Sequence, residues 1–83
     1  MAVVIGTLNV NGLNADNKKY YLLSYLMQYK IDILFIQEHN LKENYNLEII
    51  ATKYEAYINT SLLQKGGTGI LIWKNNGIKV VKY

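Results

Sequence analysis

Residues Ile33 to Gln37 read ILFIQ, and Glu38-His39-Asn40 follow at once. Five residues so rich in β-formers describe a buried strand, and the polar group after them marks its carboxyl end. What precedes the strand decides the fold class. Lys18 to Lys30 reads as a helix, because Leu22, Tyr25, Leu26 and Tyr29 fall at i, i+3, i+4 and i+7 and make one apolar stripe. Leu23 and Met27 widen that stripe. Asp16 or Asn17 suits the N-cap, and Lys30 suits the negative end of the helix dipole. Upstream again, Ala2 to Leu8 is apolar on both faces, as a central or parallel strand would be. Strand, helix and strand in that order predict a right-handed crossover with the two strands parallel.

Downstream the pattern changes. Asn40 to Asn46 is polar and loop-like, and Leu47 to Ala51 fits a short helical turn. Tyr54 to Asn59 alternates as a strand does. Gln64 to Thr68 reads as a glycine turn leading into Gly69 to Trp73, GILIW, a strong strand. Asn75-Asn76-Gly77 has the composition of a hairpin turn, since Asn-Gly takes positive φ readily, and Ile78 to Tyr83 would be the returning strand. The expected fold class is α/β with a mixed sheet: a β-α-β unit followed by antiparallel strands.

The bulk numbers bound what such a chain is. Eighty-three residues make one small domain or a piece of a larger one. A chain this short buries only about 60% of its unfolded surface. With 51% apolar residues and 18% charged, it carries much apolar surface for its size, a hint that a partner layer is missing. The net charge of +3 comes from lysines alone, spread singly, and fits a polyanionic partner without requiring one. Zero cysteines exclude a disulfide scaffold and a Cys-ligated zinc. No apolar run is long enough for a membrane span, and the start lacks the flank of a signal peptide. An intracellular protein without a membrane partner is expected.

Ligands of open α/β sheets gather beyond the carboxyl ends of parallel strands. Two polar clusters fall there. Asn9 and Asn11, within TLNVNGLN, follow the first strand, and Gln37, Glu38 and His39 end the second. Parallel neighbours lie about 4.8 Å apart, so the amides and the carboxylate would share one rim. A carboxylate beside amide oxygens is hard-oxygen ligation, suited to a magnesium ion that keeps several waters. Each residue also has a plainer reading: Asn9 and Asn11 bracing a loop through Asx turns, Glu38 as a solvated strand end. His39 is the only histidine, so it reads as a structural, partly exposed residue. Gly66-Gly67-Thr68-Gly69 lacks the Gly-Lys-Ser/Thr ending of a phosphate loop and precedes a strand, so Gly67 and Gly69 read as permitting a tight turn and close packing. Eight tyrosines and Trp73 offer base-stacking surface, yet Tyr25, Tyr29 and Trp73 sit at core-like positions.

LNVNGL, a helix, DILFIQEHNL and then GGTGILI together resemble the front end of the endonuclease/exonuclease/phosphatase superfamily. Within it the likeness is greatest to the endonuclease domain of LINE-type non-LTR retrotransposons, which is apurinic/apyrimidinic endonuclease-like. It covers Val3 to Trp73. The resemblance implies the N-terminal portion of a four-layer α/β sandwich, and so a partial domain over residues 1–83. It implies magnesium-dependent DNA nicking by phosphodiester hydrolysis, with manganese as a substitute ion. Glu38 matches the metal-binding glutamate, Asn9 an active-site asparagine that orders the metal and phosphate region, and Asn11 a position near the metal. The implied partners are DNA and the remainder of the endonuclease domain; a retrotransposon product would be nuclear. Two departures stand out. Relatives carry Thr-His after the glutamate where this chain has His39-Asn40. The family's later tyrosine, Gly-Asp-Phe-Asn-type and Ser-Asp-His motifs are absent, so the 83 residues alone are expected not to catalyse. The alternatives are a non-catalytic α/β binding or interaction module, and part of another superfamily phosphodiesterase such as an abasic-site repair endonuclease.

Overall fold

The computed structural model describes residues 2–60, 66–75 and 77. Among the described residues six elements follow one another: β1 (Ile5–Asn9), α1 (Asp16–Gln28), β2 (Ile33–Gln37), α2 (Glu48–Ala51), β3 (Tyr54–Asn59) and β4 (Thr68–Trp73). The four strands form one mixed sheet in the order β1-β2-β4-β3. β1 runs parallel to β2, with Ile5 opposite Ile33 and Asn9 opposite Gln37, while β4 is antiparallel to both β2 and β3. The mixed α/β class and the parallel pair agree with the expectation. β1, which begins at Ile5 rather than Ala2, is an edge strand rather than a central one among the described strands, and Ile5 is exposed, as are Val3 and Val4 before it. Both edges of β4 are occupied, by β2 and β3. The return strand expected at Ile78 to Tyr83, with Asn76 of its turn, lies outside the described residues, as do Gln64 and Lys65 of the glycine turn.

α1 begins two residues earlier than its periodicity indicates. Its N-cap is Ala15 with no side-chain cap, and Asp16 stands in the first turn, where its charge faces the positive end of the dipole. Asn17 does not cap the helix either; its amide oxygen accepts the adjacent Lys18 N–H. The C-terminal end is a Schellman turn. Lys30 takes φ +51, its N–H bonds to Met27 O, and the Ile31 N–H bonds to Leu26 O at 3.0 Å. That turn tucks Ile31 against Leu26, both buried, and aims the chain into β2.

The helix buries a narrower stripe than expected: Lys19, Leu22 and Leu26, with Leu23 partly covered. Lys19 buries its methylenes and ends its ammonium 3.5 Å from Asp16. Tyr25 and Tyr29, expected in the core, are exposed and pack on each other, ring centres 4.9 Å apart. The stripe is centred on the Lys19–Leu26 side, which rotates Tyr25 toward water, and Tyr29 lies past the last helical residue.

Leu34, Ile36 and Leu71 from the sheet meet Leu13, Leu22, Leu26, Leu41, Leu47 and Ile50 from the helices and loops. Each such side chain contributes about 1.5–3 kcal/mol by leaving water. Tyr54 closes the far end. It is 1% exposed, its ring meets half-buried Trp73 edge-on at 5.2 Å, and its hydroxyl donates to Ile31 O at 2.5 Å. Burial, and then the nearby Asp32 carboxylate, push its hydroxyl up to about 12. The folded state therefore holds this proton more tightly than the unfolded chain, whose tyrosine titrates near 10. The stabilisation is complete below pH 10 and is lost as pH rises toward 12, in all about 2 kcal/mol. Urea melts should show a lower midpoint at alkaline pH in this window, and Tyr54→Phe should remove most of that slope.

Among the described residues the helices cover one face of the sheet only. On the other face the register lines up three rows: Ile5-Ile33-Ile72-Glu55, Thr7-Phe35-Ile70-Tyr57 and Asn9-Gln37-Thr68-Asn59. Ile5 and Phe35 are exposed there, at 62% and 43%. The first two rows are largely apolar. The third, at the carboxyl ends of β1 and β2, is entirely amide and hydroxyl.

Candidate metal centre at the strand ends

The loop after β1 does not leave the sheet. It runs beside the loop after β2 and continues the ladder: Val10 N–H bonds to Gln37 O, Gly12 N–H to Glu38 O at 2.7 Å, and Leu13 N–H to His39 O at 2.9 Å. Gly12 takes φ +94 to do so. A third loop joins from between β3 and β4, where Asn40 N–H bonds to Gly66 O at 2.8 Å. Three loops therefore share one rim.

The residues expected at this rim are brought together there. Asn9 Nδ2 donates to Glu38 Oε2, and Asn9 Oδ1 accepts the Asn11 N–H at 3.0 Å. Asn9 is thus both an Asx turn and a partner of the carboxylate, so the two readings of TLNVNGLN are one structure. Asn11 enters through its backbone, at φ +49, and its carbonyl accepts from Lys18 Nζ at 3.0 Å. Glu38 is exposed and also left-handed, at φ +55. That conformation costs a non-glycine residue on the order of 1–3 kcal/mol and persists only where its surroundings hold it. Here the Gly12 N–H holds the Glu38 carbonyl and Asn9 holds its side chain. Gln37 donates sideways to Thr7 Oγ1 at 2.9 Å and is not aimed at Glu38.

His39 and Asn40, which stand where the family resemblance implies Thr-His, secure the loop. His39 is structural, as expected, but it is fully buried rather than partly exposed. Leu41 N–H donates to its Nδ1 at 2.9 Å, so Nε2 carries the proton and donates to Asn59 O at 2.8 Å. One imidazole thereby ties the β2 exit to the end of β3. Gly67 lies directly against this ring: a Cβ there would stand 2.5 Å from His39. Asn40 accepts Gly66 N–H on its side chain at 2.6 Å and Asn14 Nδ2 on its carbonyl at 2.9 Å. It links all three loops. Gly69 likewise faces Ile58 at 2.7 Å from where its Cβ would be, so the packing roles expected of Gly67 and Gly69 are the observed ones.

The bracing of His39 and Asn40 was not legible in the sequence, because it depends on which loops meet. Two adjacent glycines at Gly66-Gly67 were the available sign that something bulky sits against that turn.

Chemically the rim offers one exposed carboxylate and amide oxygens. No group of three His, Asp or Glu side chains suited to a metal is found among the described residues. That donor set fits magnesium held through a single carboxylate with most of its water retained, and does not fit zinc. If Asn9 orients the ligand in this way, Asn9→Ala should weaken divalent binding at the rim about 10–100-fold. A manganese titration followed by relaxation of water protons would measure it, and unchanged affinity would contradict the bracing role.

No protein-family model matches the sequence, and a search of curated proteins finds no significant match.

Proposed function

We propose that the chain is the N-terminal part of a magnesium-dependent DNA endonuclease of the retrotransposon type, with Glu38 as the metal-binding carboxylate. One observation carries the reading: an asparagine and a glutamate from the ends of two parallel strands are hydrogen-bonded at a common rim, with the glutamate held in a left-handed backbone. A solvated strand end has no need of that strain.

In this reading Glu38 presents its carboxylate to the cation, and Asn9 fixes its orientation. Asn11 keeps the turn through the Asn9 side chain, and Lys18 adds positive charge beside it. A bound divalent ion would polarise the phosphate and offset the charge that develops as the ester breaks. The described residues supply no general base for the attacking water: His39 is buried with both ring nitrogens engaged. The base and further ligands must come from elsewhere.

The open sheet face supports that incompleteness. A sheet apolar on both faces needs a layer on each. A second layer packed over the Ile5 and Phe35 rows would bring its own residues to the rim beside Asn9 and Glu38. The remainder of the endonuclease domain is the partner proposed for that face, and DNA the partner at the rim.

The test is nicking of supercoiled plasmid by the chain joined to the sequence that follows it in its gene. Magnesium-dependent nicking is expected there and not with the 83 residues alone. A joined protein that binds DNA and never cuts it would favour the interaction-module reading. Cleavage confined to abasic sites would favour a repair enzyme.

A further inference from the structure

We propose that the exposed face of α1 is a stacking platform for single-stranded nucleic acid, leading away from the Asn9–Glu38 rim. The inference rests on nucleic acid being the substrate and adds the path of the strand. Between Asp16 and Asp32 the chain has three lysines, four tyrosines and no carboxylate. Tyr21 and Tyr29 are 73% and 57% exposed, with Tyr25 between them at 37%. Tyr21 and Tyr25 stand at i and i+4 on α1, about 6 Å apart along its axis, and Tyr29 is the C-cap residue that follows, its ring centre 4.9 Å from that of Tyr25. Large exposed rings along a segment that carries lysines and no carboxylate of its own suit bases, because every base has a π-face and the backbone between them is anionic.

The platform is continuous with the rim. Asn9, Asn11, Lys18, Tyr21 and Tyr25 line one depression of about 360 Å³. Lys18 sits at the junction, bonded to Asn11 O through one of its three donor positions. A strand whose phosphate lies at Glu38 would pass Lys18 and lay its next bases on Tyr21 and the Tyr25–Tyr29 pair. A duplex could not use these rings without unstacking, so the surface selects a single strand.

Fluorescence anisotropy of a short labelled oligothymidylate, measured on the chain in chelator, tests this without any catalysis. Removing Tyr21 and Tyr29 together (Tyr21→Ala with Tyr29→Ala) should weaken binding about tenfold for each ring. The matching phenylalanine variants should bind as the parent does. Lys18→Ala should reduce the salt dependence by about one ion's worth. An abasic strand of equal length should bind less tightly than the oligothymidylate. Unchanged affinity in the double alanine variant, or equal affinity for the abasic strand, would overturn the proposal. Nicking by the longer protein is read separately: loss of the ring-dependent binding with nicking retained would sink the platform alone, and ring-dependent binding without any magnesium-dependent nicking would sink the nuclease reading alone.

Discussion

On the proposed function, changing Glu38 to glutamine is expected to lower plasmid nicking by the proposed complete endonuclease domain on the order of a thousandfold, comparable to losing one strong electrostatic contact to a transition state. The residue is exposed and its side chain bonds only to Asn9 among the described contacts, so the fold should survive. Glu38→Gly gives a sharper contrast. Glycine relieves the left-handed backbone at φ +55 and should raise stability by about 1 kcal/mol, while deleting the ligand. A residue kept for structure would become more stable and lose nothing. A residue kept for a cation becomes more stable and inactive, the usual exchange of stability for function at a site. Thermal melts and nicking assays on the same two proteins measure both halves.

The largest expected effect on folding is at Gly67. Alanine there would place its Cβ 2.5 Å from the His39 ring and 3.0 Å from Asn59 O, at a backbone φ of +89. Neither neighbour gives way easily: the ring is held at both nitrogens, and the carbonyl belongs to the end of β3. Overpacking and left-handed strain together should cost about 3–5 kcal/mol. That is most of what a small single-core domain has, so Gly67→Ala should be largely unfolded at room temperature by circular dichroism. Gly66→Ala is the control. Its φ is +78 but nothing lies within 4 Å of the added atom, so only the backbone term of about 1 kcal/mol remains. Equal losses at both positions would mean that the contact with His39 does not matter.

The parts of this architecture that depend on neighbours in sequence were legible there. ILFIQ and YEAYIN mark β2 and β3 to the residue, and the crossover rule orients β1 and β2. The parts that depend on which segments meet were not. Periodicity places Tyr25 and Tyr29 on an apolar stripe, but the sheet offers room for only the Lys19–Leu22–Leu26 side of α1. Composition makes Ala2 to Leu8 look central, yet among the described strands β1 pairs with β2 alone and stands at the edge. At the rim, Asn9 and Glu38 were found by their positions at strand ends. Lys18, Asn40 and the buried ring of His39 were not, because each acts across a loop contact 7 to 26 residues away in sequence. The left-handed conformation of Glu38 was also invisible, since glutamate carries no sign of positive φ as glycine does.

Manganese added to the isotopically labelled chain tests the shared rim most directly, through paramagnetic broadening of amide signals. Broadening should begin at Asn9 to Gly12 and Glu38 to Asn40 and vanish in Glu38→Gln. Broadening that starts at Glu43, Glu48 or Glu55, or that persists at the rim when Glu38 is neutral, would contradict a cation held by Glu38.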